Sequence, residues 1–511
     1  MFFKSKGENM KIKRIICPII SLAVLLSAFS IRSHADEYQH ETIKYDSIGY
    51  SVNNGEPIRG VDISSVISLE KSGVVFRNEN GEPQDIFKTL AENGVNYIRV
   101  RVWNNPYDKD GKSYGGGNCD KYVAAEIGKR AAKYNMKLLV DLQYSDFWAD
   151  PEKQTVPRDW AGFPLEWKKT SIYNYTADTL RFIKNGGANI GMVQIGNETN
   201  GFFCGEKDMS NICSMFSSGC KAVRDFDKSV LIAVHFANPS TGYYDYYAET
   251  LNKCWVDYDV FATSYYPYWH GSTDNLTQVL KRIADKYNKY VMVAETAYPY
   301  TDDDGDNFGN AVSKASKNAE MRYDVSVQGQ EKCISDVFKA VAAVGEKGIG
   351  AFYWEPAWIG IKGKSYNESY EIWNKYGSGW ATDYAASYDS SAKSAGGSSY
   401  DNQALFDFDG KPLESLKVFK YIYPEKKIEL PTEPKSDSAI KFDINGDSQV
   451  DIFDAVVLKK ALKSGKYQDK YDLNKDGKVN SGDLSAMKKY ILASADNAND
   501  FSEVKRTNSK K

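Results

Sequence analysis

Between residues 57 and 359, short apolar runs alternate with stretches whose apolar residues recur at helical spacing. Eight runs stand out. They are IRGVDIS from Ile58, VNYIRVRVW from Val95, MKLLVDLQY from Met136 and MVQIGNE from Met192. VLIAVHFAN from Val230, YDVFATSYYPY from Tyr258, YVMVAETAY from Tyr290 and GIGAFYWEP from Gly348 follow. Between them lie segments such as AAEIGKRAAKYN and QVLKRIADKYN, which carry helical periodicity and close on asparagine. Runs this short and this continuously apolar read as strands buried on both faces. Strand and helix in eightfold alternation predict an α/β fold, a closed (β/α)8 TIM barrel. An open doubly wound sheet is the alternative. It would usually place a glycine-rich phosphate loop after the first strand, and none stands there.

Polar residues gather where these runs end: Asp62, Arg99, Arg101, Trp103, Asp141, Asn197, Glu198, His235, Tyr265, Glu295, Trp354 and Glu355. In such barrels that rim carries the chemistry. Two of the runs deliver glutamates, Glu198 and Glu295. A pair of carboxylates on separate strands is the equipment for cutting a glycosidic bond. One must keep a proton while the other stays ionised, and the retaining geometry sets them about 5–5.5 Å apart. The pattern alone does not say which does which, and it leaves Glu355 as a third candidate. Asn197 offers an amide suited to a sugar hydroxyl. Arg99 and Arg101 share one face of their strand, and the more distal is placed to hold a carboxylate ionised. Tyr265 or Tyr266 is placed to hydrogen-bond Glu295. Trp103, Trp148, Trp269, Trp354, Trp358 and Trp380 are candidate sugar platforms or plain packing, with Trp148 and Trp358 favoured by their rim loops. His235 and Asp141 either bind hydroxyls or make structural hydrogen bonds.

The length of 511 residues accommodates one large domain and a small one. A net charge of −3 supplies no basic face for nucleic acid or an anionic membrane. Aromatic residues make up 14%, with 36 Tyr and 10 Trp, which fits a protein that stacks rings on sugars. Residues 1–35 have the layout of a secretory signal: Lys11, Lys13 and Arg14, an apolar stretch, then Ser33-His34-Ala35. A retained membrane anchor is the competing reading. Beyond that segment six cysteines remain, in no zinc pattern; either a disulfide forms within the 204–220 cluster or the thiols stay free.

After a domain spanning 36–424, residues 425–438 are rich in Pro, Lys and Glu and read as a linker. A module over 439–495 follows, then a polar tail, 496–511, expected to be disordered. The module is duplicated. Asp443, Asn445, Asp447, Asp451 and Asp454 recur 29 residues later as Asp472, Asn474, Asp476, Asn480 and Asp483. Oxygen donors at positions 1, 3, 5, 9 and 12 form an EF-hand-type calcium loop, with Asp at the last position. Position 6 is Gly477 in the second copy and Ser448 in the first. The linker leaves no room for an entering helix. A loop plus one helix, twice, resembles a dockerin, an all-α module that binds two calcium ions and a cohesin of a scaffold protein. That resemblance puts the cohesin contacts at Ile452 and Phe453 and at Ser481 and Gly482. A purely structural calcium module is the alternative.

The barrel region resembles glycoside hydrolase family 53, the endo-β-1,4-galactanases of clan A. NYIRVRVWNNP, VDLQYSDFWADP, VQIGNET, SYYPYW, AETAYPY, FYWEPAW and DNQALFDFDG carry the likeness, over roughly residues 57–423. The resemblance implies Glu198 as acid/base and Glu295 as nucleophile, and it demotes Glu355 to support. One position departs: Gln143 stands where the family usually has His, so a substrate contact or the pH profile is altered. Some bacterial members bind calcium in the loop after the seventh strand. Here that loop reads TDDDGDNFGN, and the implied ligands are Asp304, Asp306 and Asn310 with Ser398 and Asp401. A solvated acidic loop is the other reading. The expectation is thus a secreted, extracellular retaining endo-galactanase, monomeric in its catalytic domain and attached to a cellulosome. Its rivals are another clan A endo-glycanase (mannanase, xylanase or endoglucanase) and a non-catalytic glycan-binding protein.

Overall fold

The computed structural model describes residues 43–48, 56–423, 442, 444, 450, 452–464 and 469–489. The expected signal segment, the linker and the tail lie outside the described residues, as do Asp443, Asn445, Asp447 and Asp451. The chain divides into two compact units, Met1–Leu430 and Pro431–Lys511.

The first unit is a closed barrel of eight parallel strands in sequence order. They are β1 (Ile58–Asp62), β2 (Tyr97–Val102), β3 (Lys137–Leu142), β4 (Ile190–Ile195), β5 (Leu231–Ala237), β6 (Val260–Ser264), β7 (Tyr290–Glu295) and β8 (Gly348–Trp354). Each falls on one of the eight apolar runs. Helices connect them, among them Lys121–Lys133, Leu165–Asn185, Met209–Phe226 and Val327–Ala342. Several begin where a side chain accepts from free backbone N–H groups: Asp120 from Tyr122 and Val123, Asp208 from Ser210 and Asn211.

Inside the barrel the side chains are sorted by height. The lower layers hold Ile58, Tyr97, Leu139, Met192, Ala233, Val260, Ala262, Met292 and Phe352. Gly60 makes room for them, since a Cβ there would lie 2.2 Å from the Phe352 ring. Two residues further along the same inward faces stand Asp62, Arg99, Asp141, Gln194, His235 and Ser264, all buried. Alternation in a strand carries one face from apolar floor to polar mouth. At β7 the alternation breaks. Thr263 pairs with Val293 but Ser264 with Glu295, so the register skips Ala294. The skip brings Glu295 inward at the height of the polar ring.

All six described cysteines are unpaired. No bridge forms within the 204–220 cluster. Cys213 and Cys220 stand on one helix, two turns and about 10 Å apart along its axis, beyond disulfide reach. No helix among the described residues is long and apolar enough to cross a membrane.

The second unit has a helix, Ile452–Ser464, a 3-10 turn, Asp469–Tyr471, and a helical stretch over 481–489. Its core repeats with the sequence: Ile444 and Leu473, Leu458 and Met487 are buried together. Asp454 Oδ1 accepts from Ile444 N at 2.8 Å, and Asp483 Oδ1 from Leu473 N at 2.7 Å.

Candidate active site

A cleft of about 460 Å³ opens at the C-terminal ends of the strands. Gln143, Trp148, Asp150, Asn197, Glu198, Tyr266, Trp269, Glu295, Trp354, Trp380 and Tyr400 are on its walls. Glu198 follows Gly196 and Asn197 in the turn that ends β4, and its backbone is left-handed at φ 46°. A non-glycine residue held there is strained, and such strain concentrates at functional sites.

Arg99 organises the floor. Its Nη1 meets Asp62 Oδ2 and Glu295 Oε1, each at 2.8 Å. Its Nη2 donates to Asp141 Oδ2 at 3.0 Å and Asn197 Oδ1 at 2.9 Å, and Nε to Gln194 Oε1 at 3.2 Å. All five guanidinium N–H groups are thereby used. One cation faces three buried carboxyls, so one of them sheds its charge readily: burial pushes Asp141 up to about 7.

The two strand-end glutamates have different surroundings. Glu295 is held by Arg99 and accepts from the Tyr266 hydroxyl at 3.1 Å. Burial raises its pKa, while Arg99 and Tyr266 pull it back. Among the described residues no cation forms an ion pair with Glu198; Arg99 acts on it only from a distance. Burial, then the charge on Glu295, pushes it up to about 8. Of the pair, Glu198 holds the proton more tightly.

Arg101 serves a separate pair. Its Nη1 lies 2.5 Å from Glu355 Oε1, and both residues are buried. Its guanidinium lies 4.4 Å from the Trp148 ring, as a cation over an aromatic face. Trp148 in turn stacks on Trp380 at 4.4 Å and 6°.

This architecture has known relatives. The family model of glycosyl hydrolase family 53 matches residues 58–419. The chain belongs to that family. The dockerin type I domain model matches residues 441–492 of this family 53 hydrolase. An endo-beta-1,4-galactanase of Bacillus subtilis is 50% identical over 422 residues, 82% of this chain and 97% of the relative. An arabinogalactan endo-beta-1,4-galactanase of Cellvibrio japonicus is 31% identical over 63% of this chain and 84% of its own. Among solved structures, the family 53 catalytic domain of Ignisphaera aggregans superposes with a TM-score of 0.64 at 35% identity. It covers 73% of this chain and 100% of its own.

Within the family 53 barrel several sequence expectations need correction. Tyr266, not Tyr265, reaches Glu295; the Tyr265 hydroxyl donates to the Gly271 carbonyl instead. Both arginines hold a carboxylate: the more distal Arg101 holds Glu355, as expected of it, and Arg99 holds Glu295. Trp358 is 1% exposed and donates Nε1–H to the Ser378 carbonyl, so it packs and offers no face to a sugar. His235 is fully buried and reaches Asn197, the Glu198 amide and Ser264 rather than the cleft. Trp148 and Trp354 do line the cleft, each 8% exposed, with Asn197 and Gln143. Gln143 accepts from Trp103 Nε1 at 2.8 Å and donates to Asp141 Oδ2 at 3.1 Å. Tyr400 and Asp150 went unmarked in the sequence. Both sit in irregular loops, where no periodicity signals them.

Beside the cleft, Asp304, Asp306 and Asp401 bring carboxylate oxygens within 4.8 Å of one another. Ser398 N donates to Asp306 Oδ2 at 2.6 Å. Asp401 Oδ1 and Asn310 Oδ1 are buried without a hydrogen-bond partner. Burial pushes Asp306 up to about 7 and Asp401 well above the carboxylate range. In the second unit Asp472 Oδ2 accepts from Gly477 N at 2.9 Å, and Asp483 Oδ2 from Asn480 N at 2.8 Å.

Proposed function

We propose that this chain is an exported, retaining endo-β-1,4-galactanase that attaches through its C-terminal module to a cohesin-bearing scaffold. The observation that carries the reading is the unequal pair in one cleft, Glu295 bound to a guanidinium and Glu198 in no ion pair among the described residues. The galactanase relatives supply the substrate class. Glu198 protonates the leaving oxygen while Glu295 attacks the anomeric carbon and forms a covalent galactosyl ester. Bonding to Glu295 removes the charge that raised the Glu198 pKa. Glu198 then takes a proton from water, which releases the sugar with its configuration retained. Asn197, its oxygen held by Arg99, turns its amide edge to the cleft for a hydroxyl beside the reacting carbon. Trp354, Trp380 and Tyr400 receive sugar faces, while Trp148, covered by Arg101 on one face and Trp380 on the other, backs the Trp380 platform.

The donor sets fit calcium. Hard oxygens of Asp304, Asp306, Asn310 and Asp401, two of them orphaned and buried, suit a cation in the barrel loops. The Ser398 amide steadies this set. Asp472, Asn474, Asp476, Asn480 and Asp483, with their counterparts in the first copy, suit two more. Export rests on residues 1–35, with 36–424 as the catalytic domain and 439–495 as the dockerin.

Linear β-1,4-galactan is the test substrate, with mannan, xylan and cellulose as controls. Galactan alone should yield short oligosaccharides, first released as the β-anomer. Release of the α-anomer, or cleavage of another glycan in preference, would sink the reading. Glu198→Gln and Glu295→Gln should each lower kcat at least about a hundredfold.

A further inference from the structure

Arg101 and Glu355 form an ion pair that the cleft does not reach. They are 1% and 0% exposed, and neither is on the cleft walls. Arg101 Nη1 lies 2.5 Å from Glu355 Oε1, while Nη2 donates to Ser65 Oγ at 2.9 Å and to the Gly116 carbonyl at 2.6 Å. Glu355 Oε1 also accepts from Ser65 Oγ at 2.8 Å and Ser65 N at 3.2 Å. Arg101 Nε and Glu355 Oε2 are buried with no hydrogen-bond partner among the described residues. The Glu355 backbone is left-handed, at φ 49°. A buried ion pair is a poor source of stability beside apolar packing, and two orphaned atoms and a strained backbone cost more. Stability therefore does not account for the pair. Any effect it has on the reaction passes through its neighbours.

Two routes lead away from it. One runs toward the reacting centre: Glu355 N donates to the Asp62 carbonyl at 2.9 Å, and Arg101 N to Ser64 Oγ at 3.0 Å, which in turn donates to Asp62 Oδ1 at 2.5 Å. Those links start from backbone groups, so they do not depend on the paired side chains. The side chains lead the other way. The Arg101 guanidinium lies 4.4 Å from the Trp148 ring. Trp148 grips Trp380 twice: the rings stack at 4.4 Å and 6°, and Trp148 Nε1 donates to the Trp380 carbonyl at 3.0 Å. Trp380 is on the cleft wall. A guanidinium is flat, and with both Nη atoms tied its plane is fixed. A flat cation held still sets the tilt and depth of the indole that lies on it. We propose that the Arg101–Glu355 pair sets the position of the Trp148–Trp380 stack and thereby the grip of the cleft on a sugar face. Arg101 and Glu355 are positioning residues, since they act through the two indoles. The inference rests on the reading of Trp380 as a sugar platform and does not depend on which glutamate is the acid/base.

A double-mutant cycle in the full-length protein, assayed on linear β-1,4-galactan, is the test. Arg101→Lys keeps the charge and loses the flat fork. It should raise KM about fivefold with kcat nearly unchanged. In a Trp380→Ala background it should change KM by less than about twofold, because the platform through which it acts is gone. Glu355→Gln keeps the volume of the side chain and one acceptor, and it is the second arm should Arg101→Lys fail to fold. It should raise KM at least about twofold, again only while Trp380 is present. A fall in kcat with KM unchanged would place the effect on Asp62 and the reacting centre, and overturns the proposal. Equal KM changes with and without Trp380, or a lowered Tm with both constants unchanged, leave the pair a general packing role and overturn it as well. Trp380→Ala alone tests the platform reading. If it leaves KM unchanged, that reading fails and takes the proposal with it. If it raises KM while the pair variants act additively with it, only the proposal fails.

Discussion

Tyr266 and Arg99 keep a charge on Glu295 that burial would otherwise remove. Tyr266→Phe deletes one donor to Oε2 and leaves the guanidinium in place. A hydrogen bond to a charged group contributes about 1.5–3 kcal/mol, so kcat should fall about 10- to 100-fold with KM little changed. Steady-state rates on galactan check this; an unchanged kcat would mean the phenol is a bystander. At this scale the sequence was legible where strand parity applies. Glu198 and Glu295 lie at the ends of apolar runs, and a run that stops at a polar residue marks the rim; Arg99, midway along β2, is legible only as a charge on the inward face. Parity even carries two residues past a strand: β6 ends at Ser264, and Tyr266, which shares the inward parity of Val260, Ala262 and Ser264, faces the carboxylate rather than Tyr265.

At the level of elements, all eight strands were legible because their hydrophobicity is continuous and helices separate them. The register skip at Ala294 was not, since a skip depends on the neighbouring strand. The loops were least legible. Trp148, Trp358 and Trp380 look alike in the sequence, yet Trp358 is sealed while the other two form a stack at the cleft wall. That stack predicts a division of labour. Trp380→Ala removes a platform from ground state and transition state equally. KM should rise about tenfold with kcat nearly unchanged, as loss of about 1.4 kcal/mol of uniform binding requires. Isothermal titration with galacto-oligosaccharides in the Glu198→Gln background provides the direct measurement.

Over the whole molecule, the acidic cluster ties the late loop to the cleft: Asp401 lies next to Tyr400, whose ring packs on Trp354 at 4.7 Å. Asp306 at about 7 and Asp401, well above the usual carboxylate range, have folded pKa values raised above their unfolded ones, so metal-free stability is full below about pH 4. It is lost as pH rises through those folded values, whereas calcium stabilises the ionised cluster. The gap in Tm between calcium and chelator should therefore be wider at pH 8 than at pH 5, and should shrink in Asp401→Asn, which leaves the C-terminal loops intact. Equal gaps at both pH values, read by calorimetry, would remove the barrel ion. The resemblance implied this site and the acidic run alone did not, since Asp304 and Asp401 are nearly a hundred positions apart and folding brings them together. In the second unit the mirrored pairs Ile444 with Leu473 and Leu458 with Met487 have a different consequence. Each repeat is half of an oily sandwich. A polypeptide cut off after the first copy would be left with a bare greasy flank, and it could bury that flank only by borrowing the missing half from another molecule.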